Sequence, residues 1–226
     1  WARRHLWWAF LLLGTVLVAL FYALPSLESV QRPGQLQSLF WVVIPLLTLA
    51  AMATGLVIQS PPSRAVWFSL MIGVGLTGLG DTLWEYPEWV GVRPRDIPYP
   101  SLIDYVYLSS YVFLFAGILL LVRRRSPGRD RAALLDALIV TTAAALTSWI
   151  FIIEPSIGDT DLLSAEALVT IAYPVMDLLL LGAATRLWFS FDAGHNTSLR
   201  LVVITLAGVL VSDTAYAYLA LQGTWQ

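Results

Sequence analysis

Seven long apolar segments constrain the fold of this chain more than any other feature of its sequence. Each is about twenty residues long, the length that a helix needs to cross a ~30 Å hydrocarbon core. Unpaired backbone groups cost several kcal/mol in lipid, so such segments cross a membrane as helices. The sequence therefore predicts an all-α, polytopic transmembrane helix bundle that forms a single transmembrane domain over residues 1–226. The predicted helices cover residues 6–24, 39–58, 65–86, 102–122, 133–153, 167–189 and 199–221.

The composition supports a membrane protein and excludes several chemistries. Hydrophobic residues make up 58% of the chain and the mean hydropathy is +0.74, which is too apolar for a soluble surface. The sequence has no cysteine and no lysine, which excludes disulfides, thiolate catalysis and a lysine Schiff base. The net charge of -2 gives no indication of nucleic-acid binding. No P-loop, H-E-x-x-H or G-x-S-x-G motif occurs, so we predict no catalytic residue, no metal site and no enzymatic activity for these residues.

The arginines are distributed unevenly between the two sides of the predicted bundle. Three of them, Arg32, Arg93 and Arg95, fall on the side opposite the N-terminus. The other ten are Arg3, Arg4, Arg64, Arg123, Arg124, Arg125, Arg129, Arg131, Arg186 and Arg200. Since cytoplasmic loops carry the excess of basic residues, we expect a cytoplasmic N-terminus. The use of arginine without lysine is typical of a GC-rich bacterial genome, and so indicates a bacterial cytoplasmic membrane.

Acidic residues within the apolar segments occur in a recurring setting. Asp81 lies in GDTLWEY, and SDTAY places Asp213 in a similar pattern. A Tyr-Pro pair precedes an acid twice, in YPSLID with Asp104 and in YPVMD with Asp177. An ionised side chain at bilayer depth costs about 2.5–3.5 kcal/mol on the insertion scale, so such groups face the bundle interior. We predict that Asp81 and Asp213 face one polar cavity near the outer leaflet, which also contains Glu85 or Tyr107. The candidate ligand-binding residues are Asp81, Trp84, Glu85, Asp104, Tyr107, Asp177, Asp213 and Tyr216.

Each of these acids also has a purely structural explanation. Asp104 ends an S-x-x-D capping box that begins at Ser101. Asp177 follows Pro174 by three residues and is explained as a neutral buried acid or as a partner of Arg186. If the acids are functional, three chemistries stay open: an aromatic cage for a cationic ligand, an oxygen site for Ca²⁺ or Mg²⁺, and a proton relay. The sequence does not choose among them, and no cofactor is assigned.

The motifs GDTLWEY, YPSLIDYVYLSSY, LLDALIV and YPVMDLLLL resemble the N-terminal membrane region of actinobacterial signalling proteins that end in GGDEF and EAL domains. Those proteins are cyclic-di-GMP cyclases and phosphodiesterases. The resemblance covers residues 65–226 and implies a sensor or input domain that binds a small or lipophilic signal and controls a cytoplasmic output domain. No GGDEF or EAL motif occurs in these residues, so the resemblance brings no catalytic residue with it.

Two other functions are compatible with the same sequence. Repeated helix pairs with acids at membrane depth are also features of transporters and proton-coupled carriers. A structural membrane anchor or dimerisation module, with the lipid bilayer and a second copy of the chain as its partners, is the third alternative. The motif around Asp213 restarts the pattern of the third and fourth helices. We therefore expect the protein to continue past Gln226 into a further inward helix.

Overall fold

The structure, a computed structural model, describes residues 2–23, 35–61, 63–89, 98–125, 131–157, 163–189 and 197–221. Within these ranges the regular structure is helical, so the predicted all-α transmembrane bundle is confirmed. The α-helices are α1 (Ala2–Ala23), α2 (Gln35–Gln59), α3 (Arg64–Trp89), α4 (Leu102–Arg125), α5 (Arg131–Ser148), α6 (Glu154–Ile157), α7 (Ala165–Phe189) and α8 (Thr197–Leu221). Among the described residues, six helical segments are long and apolar enough to cross a membrane, and α1 contributes a shorter apolar stretch, Trp8–Ala23.

The helices extend a few residues past several of the predicted apolar segments. α4 continues to Arg125, three residues beyond the predicted end, and α8 begins at Thr197 rather than at residue 199. Hydropathy marks only the part of a helix that lies in hydrocarbon. A helix can continue past the hydrocarbon because arginine is a good helix former and its backbone makes the same helical hydrogen bonds. Long basic side chains can also extend to the membrane interface.

The fifth predicted helix is interrupted near its end by a π-helical turn over Trp149–Ile153. The N–H of Glu154 donates to the carbonyl of Trp149, five residues earlier, instead of to the residue four positions back. Pro155 follows directly, has no N–H to donate, and would place its ring against the carbonyl four residues before it. A wider turn relieves that conflict. Residues 133–153 are therefore helical throughout, as α5 followed by the π turn, and α6 continues the helix to Ile157.

The chain divides into two compact units, Trp1–Ser110 and Tyr111–Gln226. In the first unit, α3 packs closely against α2 at a glycine. A Cβ added to Gly78 would overlap the ring of Pro45, whose Cγ would lie 3.0 Å away. At Gly75, an added Cβ would lie 3.7 Å from Leu49 Cδ1, which is an ordinary contact. Glycine at position 78 thus lets the backbones of α2 and α3 approach closely.

The core of the second unit is formed by α4, α7 and their neighbours. Ile118, Leu180 and Leu187 are fully buried there. Many other large apolar side chains, such as Leu135 and Ile139 of α5, are more than half exposed. Lipid tails are as apolar as leucine, so such exposure carries no penalty for helices within a bilayer.

Candidate functional site

An acid–tyrosine pair joins α3 to α4 in the first unit. The Tyr107 hydroxyl donates to Asp81 Oδ1 over 2.8 Å. The residue before Asp81 makes this approach possible, because a Cβ added to Gly80 would lie 2.6 Å from Tyr107 Cε1. Glycine at this position therefore leaves the space through which the tyrosine ring passes to reach the carboxylate.

Asp104 has the structural role that its motif predicts. Its Oδ2 atom accepts hydrogen bonds from the Ser101 backbone N–H at 2.7 Å and from the Ser101 hydroxyl at 2.9 Å. The Ile103 N–H in turn donates to the Ser101 hydroxyl oxygen at 3.2 Å. This reciprocal arrangement is a capping box, and it satisfies backbone donors at the start of α4 that have no partner inside the helix.

A second acid–tyrosine group joins three helices in the second unit. The Tyr111 hydroxyl of α4 donates to Asp213 Oδ2 of α8 over 2.9 Å, across 102 residues of sequence. Asp177 of α7 is close enough to interact electrostatically with both of them. One turn before Asp177, the ring of Tyr173 meets that of Tyr111 edge to face, with centroids 6.3 Å apart. We call Tyr111, Tyr173, Asp177 and Asp213 the three-helix cluster.

Helix length explains why these residues lie at one level. At 1.5 Å per residue, Tyr111 is about 14 Å from the start of α4 and Asp177 about 18 Å from the start of α7. Asp213 is about 12 Å from the end of α8. Because successive membrane-crossing helices alternate in direction, α4 and α7 start on the side of the membrane on which α8 ends. The cluster therefore lies within the spanning segments, between the middle of the bilayer and that side.

One oxygen of the three-helix cluster has no hydrogen-bond partner. Asp177 Oδ1 is buried and accepts nothing. The alternative in which Asp177 pairs with Arg186 is wrong, because no ion pair joins these two described side chains, and the alternative of a neutral buried acid stays a prediction. Nine residues at 100° each place Arg186 on the opposite face of α7. A buried acceptor without a donor is costly, so Asp177 is the point of the cluster at which an added donor would bind.

The other predicted ligand residues lie nearer the surface. Trp84 is 47% exposed and Tyr216 is 56% exposed, and the Glu85 side chain is partly exposed. An aromatic cage that includes Trp84 and Tyr216 stays a prediction. The hydrogen bonds that do form join Tyr107 to Asp81 and Tyr111 to Asp213, with Asp177 beside the second pair. Asp81 and Asp213 belong to different units, so their shared cavity stays a prediction.

Two aromatic residues of the three-helix cluster were not among the predicted site residues. Tyr111 lies four residues after Tyr107 and is therefore on the same face of α4. This spacing could have identified Tyr111 as a site residue from the sequence. Tyr173 belongs to the repeated Tyr-Pro motif, directly before Pro174. In both cases the sequence indicates a position on a helix face, but the partner helix is set by packing.

The described part of the chain gives no support to a hard-cation site. Among the residues searched, no three His, Asp or Glu side chains are grouped so that they could hold a metal ion. The functional groups of the three-helix cluster are two carboxyl groups and two phenol rings. Such a set can accept hydrogen bonds and can attract a cation by charge and by its aromatic faces.

Comparison with known proteins finds no match: no family model, no curated protein and no solved structure is similar to this chain. The function is therefore argued from the acid–tyrosine contacts themselves.

Proposed function

We propose that this chain is the membrane-embedded sensor domain of a bacterial signalling protein. It binds a small or lipophilic signal near the outer leaflet and controls a cytoplasmic output domain. The resemblance of its acid and aromatic motifs to the membrane regions of cyclic-di-GMP proteins supports a signalling role. In this proposal the N-terminus is cytoplasmic, and the chain itself has no catalytic activity.

The observation that carries the proposal is the hydrogen bond from Tyr111 to Asp213, with Asp177 beside it. This polar contact links α4, α7 and α8 within the membrane-spanning segments. A neutral hydrogen bond contributes about 0.5–1.5 kcal/mol net, and one to a charged group about 1.5–3 kcal/mol. A ligand that competes for the Tyr111 hydroxyl or for Asp177 Oδ1 would change how these three helices are held together.

The size of this contact is suitable for a switch. A ligand shifts a two-state equilibrium only by its difference in affinity for the two states. A difference of about 1.4 kcal/mol changes the ratio of the states tenfold, so exchanging one such hydrogen bond for a ligand contact is sufficient for a measurable response. The response would reach the output domain as a rearrangement of helices.

Replacing Asp213 with asparagine tests the sensor proposal in cells that make the full-length parent protein. We expect Asp213→Asn to change the cellular cyclic-di-GMP level several-fold at an equal amount of protein in the membrane, because it alters the acceptor of Tyr111. Asp104→Asn is the control, since Asp104 caps a helix, and we expect it to affect the amount of protein rather than the level per molecule. Cyclic-di-GMP is measured by mass spectrometry of cell extracts. An unchanged level in Asp213→Asn cells contradicts the proposal.

A proton-coupled carrier is the second candidate, and Asp177 is the observation that favours it. Its Oδ1 atom is buried without a partner, one turn after Pro174 inside α7. Acids beside an interrupted hydrogen-bond pattern at membrane depth are typical of transport sites. Vesicles that contain the purified chain and a pH-sensitive dye distinguish the two functions. Proton entry that is lost in Asp177→Asn favours the carrier, and the absence of entry favours the sensor.

The proposed orientation gives a prediction on its own. The loop between α4 and α5 contains Ser126, outside the described residues, and belongs to the arginine-rich side. Because the chain has no cysteine, a single cysteine at Ser126 is the only target for a thiol reagent. We expect a membrane-impermeant maleimide to label it only after the cells are opened, whereas a cysteine at Val92 in the opposite loop is labelled in intact cells. Labelling of the Ser126 cysteine in intact cells contradicts a cytoplasmic N-terminus.

A further inference from the structure

In the three-helix cluster, the hydroxyl of Tyr111 lies beside two carboxyl groups but has only one proton. It donates that proton to Asp213 Oδ2 over 2.9 Å. The same hydroxyl also interacts with the side chain of Asp177, on the neighbouring helix α7. A phenol donates once, but its oxygen can also accept, whereas an ionised carboxylate can only accept. A hydrogen bond between Asp177 and Tyr111 is therefore completed when the aspartate itself carries a proton and donates it.

The other oxygen of Asp177 supports a proton on this side chain. Oδ1 is buried, and no donor in the described part of the chain reaches it. An ionised carboxylate carries its charge on both oxygens, so a buried oxygen without a donor leaves that charge uncompensated. In the neutral acid, Oδ1 is a carbonyl oxygen, and burying a neutral polar atom without a partner costs far less than burying a charge. Protonation of Asp177 therefore removes the larger part of this cost.

No positive charge in the described part of the chain offsets the two carboxyl groups. Asp177 interacts with Tyr111 and Asp213, and Arg186 lies on the opposite face of α7. The other described titratable groups on α7 and on the helices around it are exposed or hydrogen-bonded elsewhere. They are Asp104, Tyr105, Tyr107, Arg123 and Arg124 of α4, Arg131 and Asp136 of α5, Glu154 of α6, Glu166 of α7, and Tyr216 and Tyr218 of α8. Two adjacent carboxylates within the membrane repel each other, and each costs free energy to ionise there.

We propose that the three-helix cluster is a proton-sensitive contact, in which a protonated Asp177 donates to the Tyr111 oxygen while Tyr111 donates to Asp213. These two hydrogen bonds in series join α7 to α4 and α4 to α8. When the proton of Asp177 passes to solvent, the aspartate loses its donor and faces an ionised Asp213, so the three helices are held together less tightly.

The direction of the pH effect follows from the number of protons. The joined form of the cluster holds one more proton than the loosened form, so raising the pH favours the loosened form. Over the range in which the proton is released, the ratio of joined to loosened form falls about tenfold for each pH unit. The inference deepens the sensor proposal, because it makes the proton a regulator of the same cluster, and it rests on that proposal only for the effect on the output domain.

Infrared spectroscopy of the purified full chain in detergent tests whether Asp177 carries the proton. The carbonyl stretch of a protonated carboxylic acid is separate from the bands of a carboxylate. We expect a protonated-carboxyl band at neutral pH that is lost in Asp177→Asn. Asp136→Asn is the control, because Asp136 is an exposed acid of α5, and it should retain the band. If Asp177→Asn removes carboxylate bands instead, Asp177 is ionised and the inference is overturned.

Thermal unfolding at two pH values tests the effect of the proton on the helices. The amide of Asp177→Asn keeps a donor at every pH. Between about pH 6 and about pH 9, we therefore expect the melting temperature of the wild type to fall by about 3–8 °C more than that of Asp177→Asn. Asp136→Asn should follow the wild type. An equal pH dependence of the wild type and Asp177→Asn overturns the inference.

A measurement on the wild-type protein alone covers the case in which Asp177→Asn does not fold. We expect its protonated-carboxyl band to decrease reversibly as the pH rises, before the protein unfolds, and a band that stays constant up to unfolding overturns the inference. These measurements use the isolated chain, whereas the sensor proposal is tested by the cyclic-di-GMP level in cells. Failure of the proton-sensitive contact is therefore distinguished from failure of the sensor proposal.

Discussion

Gly78→Ala is expected to lower the free energy of unfolding of this chain by about 1–3 kcal/mol, the usual cost of inserting atoms into a packed site. The added Cβ would overlap the Pro45 ring. Pro45 cannot move aside as a flexible side chain would, because its ring is part of the α2 backbone. The α2 and α3 helices must therefore separate. The measurement is thermal unfolding of the purified protein in detergent, followed by the loss of helical circular dichroism.

Gly75→Ala is the matched control for this prediction. It lies one turn earlier in the same helix, facing the same partner, but its Cβ would lie 3.7 Å from the end of the flexible Leu49 side chain. Alanine also favours a helix over glycine by about 1 kcal/mol, a gain common to both positions. We therefore expect Gly75→Ala to be neutral or stabilising. If Gly78→Ala is as stable as Gly75→Ala, the close approach of α2 and α3 at Pro45 is contradicted.

Hydropathy was sufficient to predict the helices because the bilayer leaves so few alternatives. A segment such as Leu102–Arg124 can satisfy its backbone in lipid only as a helix, whatever its neighbours are. The π turn at Trp149–Ile153 was not predicted, although Pro155 was visible in the sequence. A proline near a helix end is compatible with a kink, a terminus or a wider turn, and local sequence does not decide which one forms.

The candidate site was predicted in part. The capping role of Asp104 follows from four consecutive residues, so the motif and the contacts agree. The partners of Asp81 and Asp213 could not be predicted in the same way. The repeat places both acids at similar depth, but the rotation and spacing of neighbouring helices decide which side chain each acid meets. In the structure each of them has its own tyrosine from α4.

The same dependence on packing explains the outcome at Trp84, Tyr216 and Asp177. An aromatic residue three positions after an acid is near it along the helix, yet Trp84 and Tyr216 are about half exposed. Asp177 and Arg186 have opposite charges and share a helix, but helical periodicity places them on opposite faces. Sequence proximity predicts contact only when the spacing is close to a whole number of helical turns.

Tyr111→Phe is expected to be more destabilising than the same change at Tyr107. Both substitutions remove one hydroxyl from α4, four residues apart, and leave the ring in place. Tyr111 is only 8% exposed, and its hydroxyl lies beside two carboxyl groups, whereas the described acceptor of Tyr107 is Asp81. A buried acceptor that loses its donor costs about 1–3 kcal/mol. We expect Tyr111→Phe in the upper part of that range and Tyr107→Phe in the lower part, measured by thermal unfolding in detergent.

A double-mutant cycle then separates the hydrogen bond from its surroundings. Coupling between Tyr111→Phe and Asp213→Asn should be about 0.6 kcal/mol and at most about 1.7 kcal/mol, the average and the maximum for hydrogen bonds between membrane helices. These values are small because the same side chains also find hydrogen-bond partners in the unfolded, membrane-inserted state. The rest of the Tyr111→Phe loss comes from leaving Asp177 and Asp213 together without the hydroxyl between them. Asp177→Asn introduces an amide donor at that point, so it should restore part of the stability of Tyr111→Phe while leaving Tyr107→Phe unimproved. If Asp177→Asn changes the stability of Tyr111→Phe and of Tyr107→Phe by the same amount, Asp177 does not act together with Tyr111 and Asp213. The hydrogen bond from Tyr111 to Asp213 and the buried Asp177 carboxyl would then be independent of each other.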